Sequence, residues 1–293
     1  QAPEGMVLKP TPHIVKLEYA GQEAAVTETV IALTNQRQRV QIEMQKLLEQ
    51  DERFQLFGDI RKVSFGLYAA KDLEASDGSV IPKDGLLEVV ACKEDGTATF
   101  QTDLPFGSFY LKEISTDEHY QLSDKAYPIE FTYAGQETGV VHLGANEGQP
   151  IENHLIRGSV LGHKVDENGQ AAPGAVMGLF RPEETEFTED TALLISVSNE
   201  HGEFRFDGIP FGDWLVREIR QPEGFLLSET LYPVTIAEQN HVVEINVENI
   251  HIPPASVNPP TGEERRWRNL VMGLAAVAVG GAVALFIIKK KKG

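Results

Sequence analysis

Apolar and polar residues alternate with a period of two through most of the chain, as in "HVVEINVEN" (241–249) and "GDWLVREI" (212–219). That is the period of strands buried on one face only. The alternating runs are separated by "SDG", "EDG", "ENG" and "EHG", which read as hairpin turns in which glycine supplies a positive φ. None has the ligand spacing of an Asp-rich calcium loop. "QKLLEQDERF" (45–54) has weak helical character but follows strand-like "VQIEM", so it reads as a strand end and loop. Residues 270–288 differ: 19 apolar residues without periodicity, about 28 Å long as a helix, enough to cross a hydrocarbon core. The pattern predicts an all-β protein of small sandwich domains in a row, followed by a single C-terminal transmembrane helix.

The strands repeat. "LPFGSFYLKEI" (104–114) aligns with "IPFGDWLVREI" (209–219), "VSFGLY" (63–68) with "AVMGLF" (175–180), "YPIEF" (127–131) with "YPVTI" (232–236), and "IEN" (151–153) with "VEN" (247–249). Two domains of one kind are therefore expected at 37–154 and 155–250. "QAPEGMVL" (1–8) resembles "RQPEGFLL" (220–227), and "YAGQE" occurs at 19–23 and at 133–137. Residues 1–36 accordingly read as the C-terminal strands of a truncated preceding domain, with Asn35 of "IALTN" in the place of the closing "IEN". Residues 251–257 read as a linker and 258–293 as a terminal signal.

Alternation also exposes an oddity. Lys46 follows Val40, Ile42 and Met44 on one strand face, and Lys164 follows Val160 and Gly162. Glu113 shares a face with Phe109 and Leu111, and Glu218 with Trp214 and Val216. Asn153 lies with Ile151, and Asn249 with Val243, Ile245 and Val247. Each full repeat thus turns one Lys, one Glu and one Asn inward, where an unpaired charge is costly. One reading is that strand ends fray into solvent, where such residues are ordinary. The other is that the three side chains meet. Burial lowers a Lys pKa and raises a Glu pKa. A neutral amine could then attack the Asn carboxamide while Glu moves protons and ammonia leaves, giving an isopeptide cross-link. Recurrence in the same order at matching places favours the second reading.

Net charge is −18, and it is unevenly placed. Setting aside the seven basic and two acidic residues after Gly262 leaves 42 acids against 19 bases in 1–262, a net charge of −23. Such a surface repels nucleic acid and anionic membranes. The single cysteine, Cys92, excludes an intramolecular disulfide. The eight histidines show no ligand spacing, and there is no nucleophile–base–acid set or phosphate loop, so neither metal, cofactor nor turnover of an external substrate is expected. The four lysines 289–292 form a basic tail (289–293) that places 1–262 outside, although Arg265, Arg266 and Arg268 flank the span on its other side. That orientation requires export. No signal peptide is visible and the first residue is Gln, so the chain is expected to be the C-terminal piece of a longer precursor.

The pattern resembles the Cna protein B-type (SpaA-like, prealbumin-like) domains of Gram-positive pilins and adhesins, over nearly all of 1–250. The motifs that carry the resemblance are "K-x-D-x-x-G" (164–169), "G-A-x-x-x-L-F" (174–180) and "W-x-V-x-E-x-x-x-P-x-G-F" (214–225). It implies a prealbumin-like/Ig-like sandwich, a self-generated bond between Lys164 and Asn249 with Glu218 as catalytic acid, and the same for Lys46, Asn153 and Glu113. The first repeat departs from the pattern: "TDEHY" (116–120) replaces the Pro-x-Gly-aromatic turn, and no Asp follows Lys46 at the usual place. Asn258-Pro259-Pro260-Thr261-Gly262, the apolar span and the lysines resemble a sortase sorting signal of the LPXTG kind, with Asn258 in place of Leu. The prolines would keep the motif extended and accessible. A sortase transpeptidase would cut after Thr261 and join its carboxyl to a peptidoglycan amine. The membrane would be a partner only before sorting, and the product an extracellular, wall-anchored protein. The implied function is the stalk of an adhesin or minor pilin, with a host or matrix ligand or other pilins as further partners. The alternatives are a polymerising pilus backbone, for which no pilin-motif lysine is evident, and a wall-anchored enzyme with its catalytic domain upstream.

Overall fold

Nineteen strands realise the alternation in the computed structural model, which describes residues 1–16, 18–19, 21–23, 30–74 and 78–253. The expected sorting motif at 258–262, the apolar span at 270–288 and the basic tail at 289–293 lie outside the described residues. Among those described, no helix is long and apolar enough to cross a membrane.

β1 (Met6–Val7) pairs with β2 (Gln36–Arg37). A first sandwich then contains β3 (Arg39–Leu48), β4 (Ser64–Ala69), β5 (Leu73–Glu74), β6 (Val80–Ile81), β7 (Leu86–Ala91), β8 (Thr97–Phe100), β9 (Gly107–Ser115), β10 (Ala126–Phe131), β11 (Val140–Gly144) and β12 (Ile151–Asn153). The second contains β13 (Arg157–Asp166), β14 (Val176–Phe180), β15 (Leu194–Val197), β16 (Glu203–Pro210), β17 (Gly212–Arg220), β18 (Tyr232–Ile236) and β19 (Val242–Asn249). "QKLLEQDERF" ends β3 at Leu48 and continues as a loop, as its pattern predicts.

In the first sandwich one sheet has the order β10-β9-β4-β7, and the other centres on β3. β8 runs antiparallel along one edge of β3, while β11 and then β12 run parallel along the opposite edge. The second sandwich repeats this with β15-β14-β17-β18 and β16-β13-β19, and here β13 is central. Strand alternation supplies both cores. Phe65, Leu67, Phe109, Leu111, Ile42 and Ile151 fill the first; Met177, Leu179, Val216, Val160 and Val247 fill the second. Burying each such side chain contributes about 1.5–3 kcal/mol.

The repeats differ in their last strand. β19 pairs with β13 without a break over eight residues, from Ser159/Val242 to Asp166/Asn249. In the first sandwich Gly144 faces Glu43 and Ile151 faces Lys46, so four residues more are spent on the closing strand than on β3. They form a short turn in which Asn146 and Glu147 adopt φ of 50° and 56°. Four is an even number, so the inward face is kept across the break.

Residues after β3 reach the second sandwich. Phe54 is buried in the second core, its ring edge-on to Trp214 at 5.0 Å between centroids. Arg157 donates to Glu49 at 2.7 Å, to Asp51 at 2.8 Å and to the Gly208 carbonyl at 2.8 Å. Nearby, burial by itself would raise the Asp117 carboxyl, but hydrogen bonds from Lys62, His119 and the backbone outweigh it and hold its pKa at about 2.

Candidate functional site: two buried Lys–Glu–Asn clusters

Lys46 sits near the end of β3, Glu113 near the end of β9 in the facing sheet, and Asn153 at the end of β12. Lys164, Glu218 and Asn249 occupy the same places on β13, β17 and β19. Alternation points each inward, and the two layers bring them together. Both lysines are 0% exposed.

In the first cluster Lys46 Nζ donates to Asn153 Oδ1 at 2.6 Å and lies 3.2 Å from Glu113 Oε1. The same carboxylate oxygen accepts from Asn153 Nδ2 at 2.8 Å. In the second, Lys164 Nζ donates to Asn249 Oδ1 at 2.5 Å and lies 3.5 Å from Glu218 Oε1, which accepts from Asn249 Nδ2 at 2.9 Å. The outer oxygens are held alike: Glu113 Oε2 accepts from the Ser123 amide at 2.8 Å, and Glu218 Oε2 from the Ser228 amide at 2.7 Å. One carboxylate oxygen therefore faces both nitrogens of each cluster. Burial is the main influence on both lysines and lowers their pKa below the ordinary value, against the opposing pull of Glu113 and Glu218. An ordered amine with reduced proton affinity beside a carboxamide carbon is the arrangement that acyl transfer to nitrogen requires.

A turn glycine fixes each lysine backbone. Lys46 N donates to the Gly96 carbonyl at 2.8 Å, and Lys164 N to the Gly202 carbonyl at 2.7 Å. Both glycines have positive φ, 79° and 76°, and a Cβ would stand 2.3 and 2.2 Å from the lysine carbonyl oxygen. Glycine is required there by conformation and by space. The aligned "EDG" and "EHG" turns could have flagged these positions.

Two departures of the first repeat leave its cluster assembled. The acidic residue absent from position 48 corresponds to Asp166 of the second repeat, whose carboxylate accepts from the Asn168 and Gln170 amides and closes a turn. In the first repeat Leu48 stands there and packs against the core. At the "TDEHY" turn, Thr116 Oγ1 accepts a second hydrogen bond from Asn153 Nδ2 at 2.9 Å. No sequence signal marks Thr116, because it lies in the segment where the repeats diverge. Asn35 is exposed, and Cys92 is buried with its thiol pushed up to about 11 by desolvation.

No curated protein sequence matches the chain. Among solved structures, the Bacillus anthracis TIE protein is similar, with a TM-score of 0.60 and 19% identity over 85% of this chain; the chain spans 40% of that protein's length. The C-terminal fragment of the pilus adhesin SpaC from Lactobacillus rhamnosus GG gives a TM-score of 0.43 and 11% identity, covering 76% of this chain and 100% of that one. GBS52, the minor pilin of Streptococcus agalactiae, gives 0.32 and 17%, covering 75% and 99%. The first of these likenesses establishes a shared fold. The family model for the SpaA prealbumin-like fold domain matches residues 57–144 and 158–251, more than half of the chain, and the chain belongs to that family.

Proposed function

We propose that residues 1–250 are part of the stalk of a sortase-anchored cell-surface adhesin or minor pilin, stiffened by two intramolecular isopeptide bonds, Lys46 to Asn153 and Lys164 to Asn249. The observation that carries this reading is the recurrence of one buried Lys–Glu–Asn geometry at matching places in both sandwiches.

In each cluster the neutral lysine Nζ attacks the asparagine Cγ. A new Nζ–Cγ bond forms, the Cγ–Nδ2 bond breaks, and the nitrogen departs as ammonia. Glu113 or Glu218 takes a proton from Nζ and delivers one to Nδ2, a transfer suited to an oxygen that faces both nitrogens. The reaction replaces a buried amine by a neutral amide, removing a group that is costly to hold as a cation. Donor and acceptor are 107 and 85 residues apart. Loops of that size, treated by the chain-entropy model for disulfides, give about 4–5 kcal/mol of stabilisation each. Cross-links between first and last strands would also carry tension past the rest of each sandwich, which suits two sandwiches that share a single cysteine, Cys92.

The β1/β2 register supports reading 1–36 as the end of a preceding domain. Met6 pairs with Arg37 as Tyr120 pairs with Leu155, two residues after Asn35 and Asn153 respectively. Anchoring rests on sequence: Asn258 to Gly262, the apolar span and the lysines form the signal through which Thr261 would be joined to the wall.

The intact mass of the chain tests the cross-links. Loss of one ammonia per sandwich is expected, with cross-linked peptides joining Lys46 to Asn153 and Lys164 to Asn249. An unmodified mass in correctly folded protein would exclude them.

A further inference from the structure

The two clusters differ in how the departing nitrogen is held. Asn249 Nδ2 makes one side-chain hydrogen bond among the described residues, to Glu218. Asn153 Nδ2 makes two, to Glu113 Oε1 at 2.8 Å and to Thr116 Oγ1 at 2.9 Å. Gln221 occupies the position of Thr116 in the second repeat and is exposed. The backbone beneath the acceptors differs in the opposite sense. Asn249 ends a strand paired over eight residues, whereas Asn153 ends β12, which is paired over three after the break in the closing strand.

We infer that Thr116 is a positioning residue for cross-linking in the first sandwich, holding the nitrogen that leaves Asn153. This rests on the isopeptide reading above. A carboxamide has two N–H groups, and its reactive orientation places Oδ1 toward Lys46 and Nδ2 toward Glu113. With one N–H on Glu113 and the other on Thr116, both are tied and rotation about Cβ–Cγ is opposed. As Nζ adds to Cγ, Nδ2 becomes pyramidal and must take a proton from Glu113 before the Cγ–Nδ2 bond breaks. The Thr116 hydroxyl keeps Nδ2 beside that carboxyl during the change. It takes no part in the proton balance: lysine amine and carboxamide still yield one secondary amide and one ammonia. In the second sandwich the continuous strand holds Asn249 without such help.

Thr116→Val keeps the shape of the side chain and removes the acceptor. Peptide mass mapping during cell-free synthesis of the whole chain follows both bonds in one molecule, with Lys164 to Asn249 as internal clock and folding control. A slowing of about tenfold is expected for Lys46 to Asn153 only, the effect of one neutral hydrogen bond present in the transition state. Thr116→Ser should restore the rate. If Thr116→Val does not fold, Thr116→Ala against Thr116→Ser gives the same contrast. A wild-type rate in the acceptor-less variant, or a serine variant as slow as it, overturns the role of Thr116 and leaves the cross-links standing. Wild-type protein that loses no ammonia from either sandwich overturns both.

Discussion

The two sandwiches build the same cluster on closing strands of different construction. In the second, β19 follows β13 residue for residue, and Lys164 and Asn249 lie 85 apart. In the first, the closing strand is broken by four extra residues, the separation is 107, and Asn153 still sits two places beyond the partner of Lys46. Lys46 faces Ile151 as Lys164 faces Val247. What the repeats share is therefore the register of acceptor to donor rather than the length or continuity of the strand that delivers it. Register survives because an even insertion bulges outward without exchanging the strand's two faces.

The comparison can be broken most severely at the carboxylates. Glu113→Ala or Glu218→Ala should leave the ammonia in place in that sandwich alone, with a loss of about 5 kcal/mol or more from the missing link and the unpaired lysine. A melting temperature lower by about 20 °C is expected for the affected sandwich, read by calorimetry beside intact mass. Equal loss of both bonds from one substitution would mean that the clusters are not independent.

Phe54→Ala tests a place where the first repeat enters the core of the second. Removal of a buried phenylalanine costs about 3 kcal/mol. The cost should fall on unfolding of the second sandwich, although Phe54 belongs to the loop after β3. A melting transition lowered only for the first sandwich would contradict the packing described.

Acid should separate the repeats by a smaller amount. Asp117 belongs to the first, where its pKa is held at about 2; Pro222 takes its place in the second. A carboxyl depressed on folding contributes fully above its unfolded pKa, about 3.9, and the contribution is lost as pH falls through about 2. The first sandwich should lose about 2 kcal/mol over that window, and Asp117→Asn should abolish this part of its acid sensitivity in urea titrations.

The smallest effect is expected from making the first closing strand continuous. Deleting residues 146–149 removes four positions from the turn and keeps the inward alternation. Stability should change by less than about 1 kcal/mol, and the Lys46 to Asn153 link should still form. Loss of that link, seen by mass, would show that the turn itself places Asn153.

Alternation and repetition made the all-β class, the tandem sandwiches and the six inward polar side chains legible, because each is local or compares one stretch with another. Val40, Ile42, Met44 and Lys46 share a face in any strand with that spacing. That each Lys, Glu and Asn would meet was expected from their recurrence and from the family resemblance, but the atom-to-atom geometry of the meeting was not legible. Glu113 and Asn153 come from different sheets, and their approach depends on how two layers stack. Thr116 carried no signal because the "TDEHY" turn departs from its counterpart, and Phe54 carried none because its contact lies in the other sandwich.

By itself, then, the sequence determined which faces are buried and that each repeat sends a Lys, a Glu and an Asn into its interior, since periodicity acts within single strands. Tertiary structure decided that one carboxylate oxygen meets both nitrogens, that Thr116 shares the Asn153 amide, and that a broken strand keeps its register. The first two are contacts across the facing sheets, set by how the layers pack, and the third is set by pairing of β11 and β12 with β3 within one sheet.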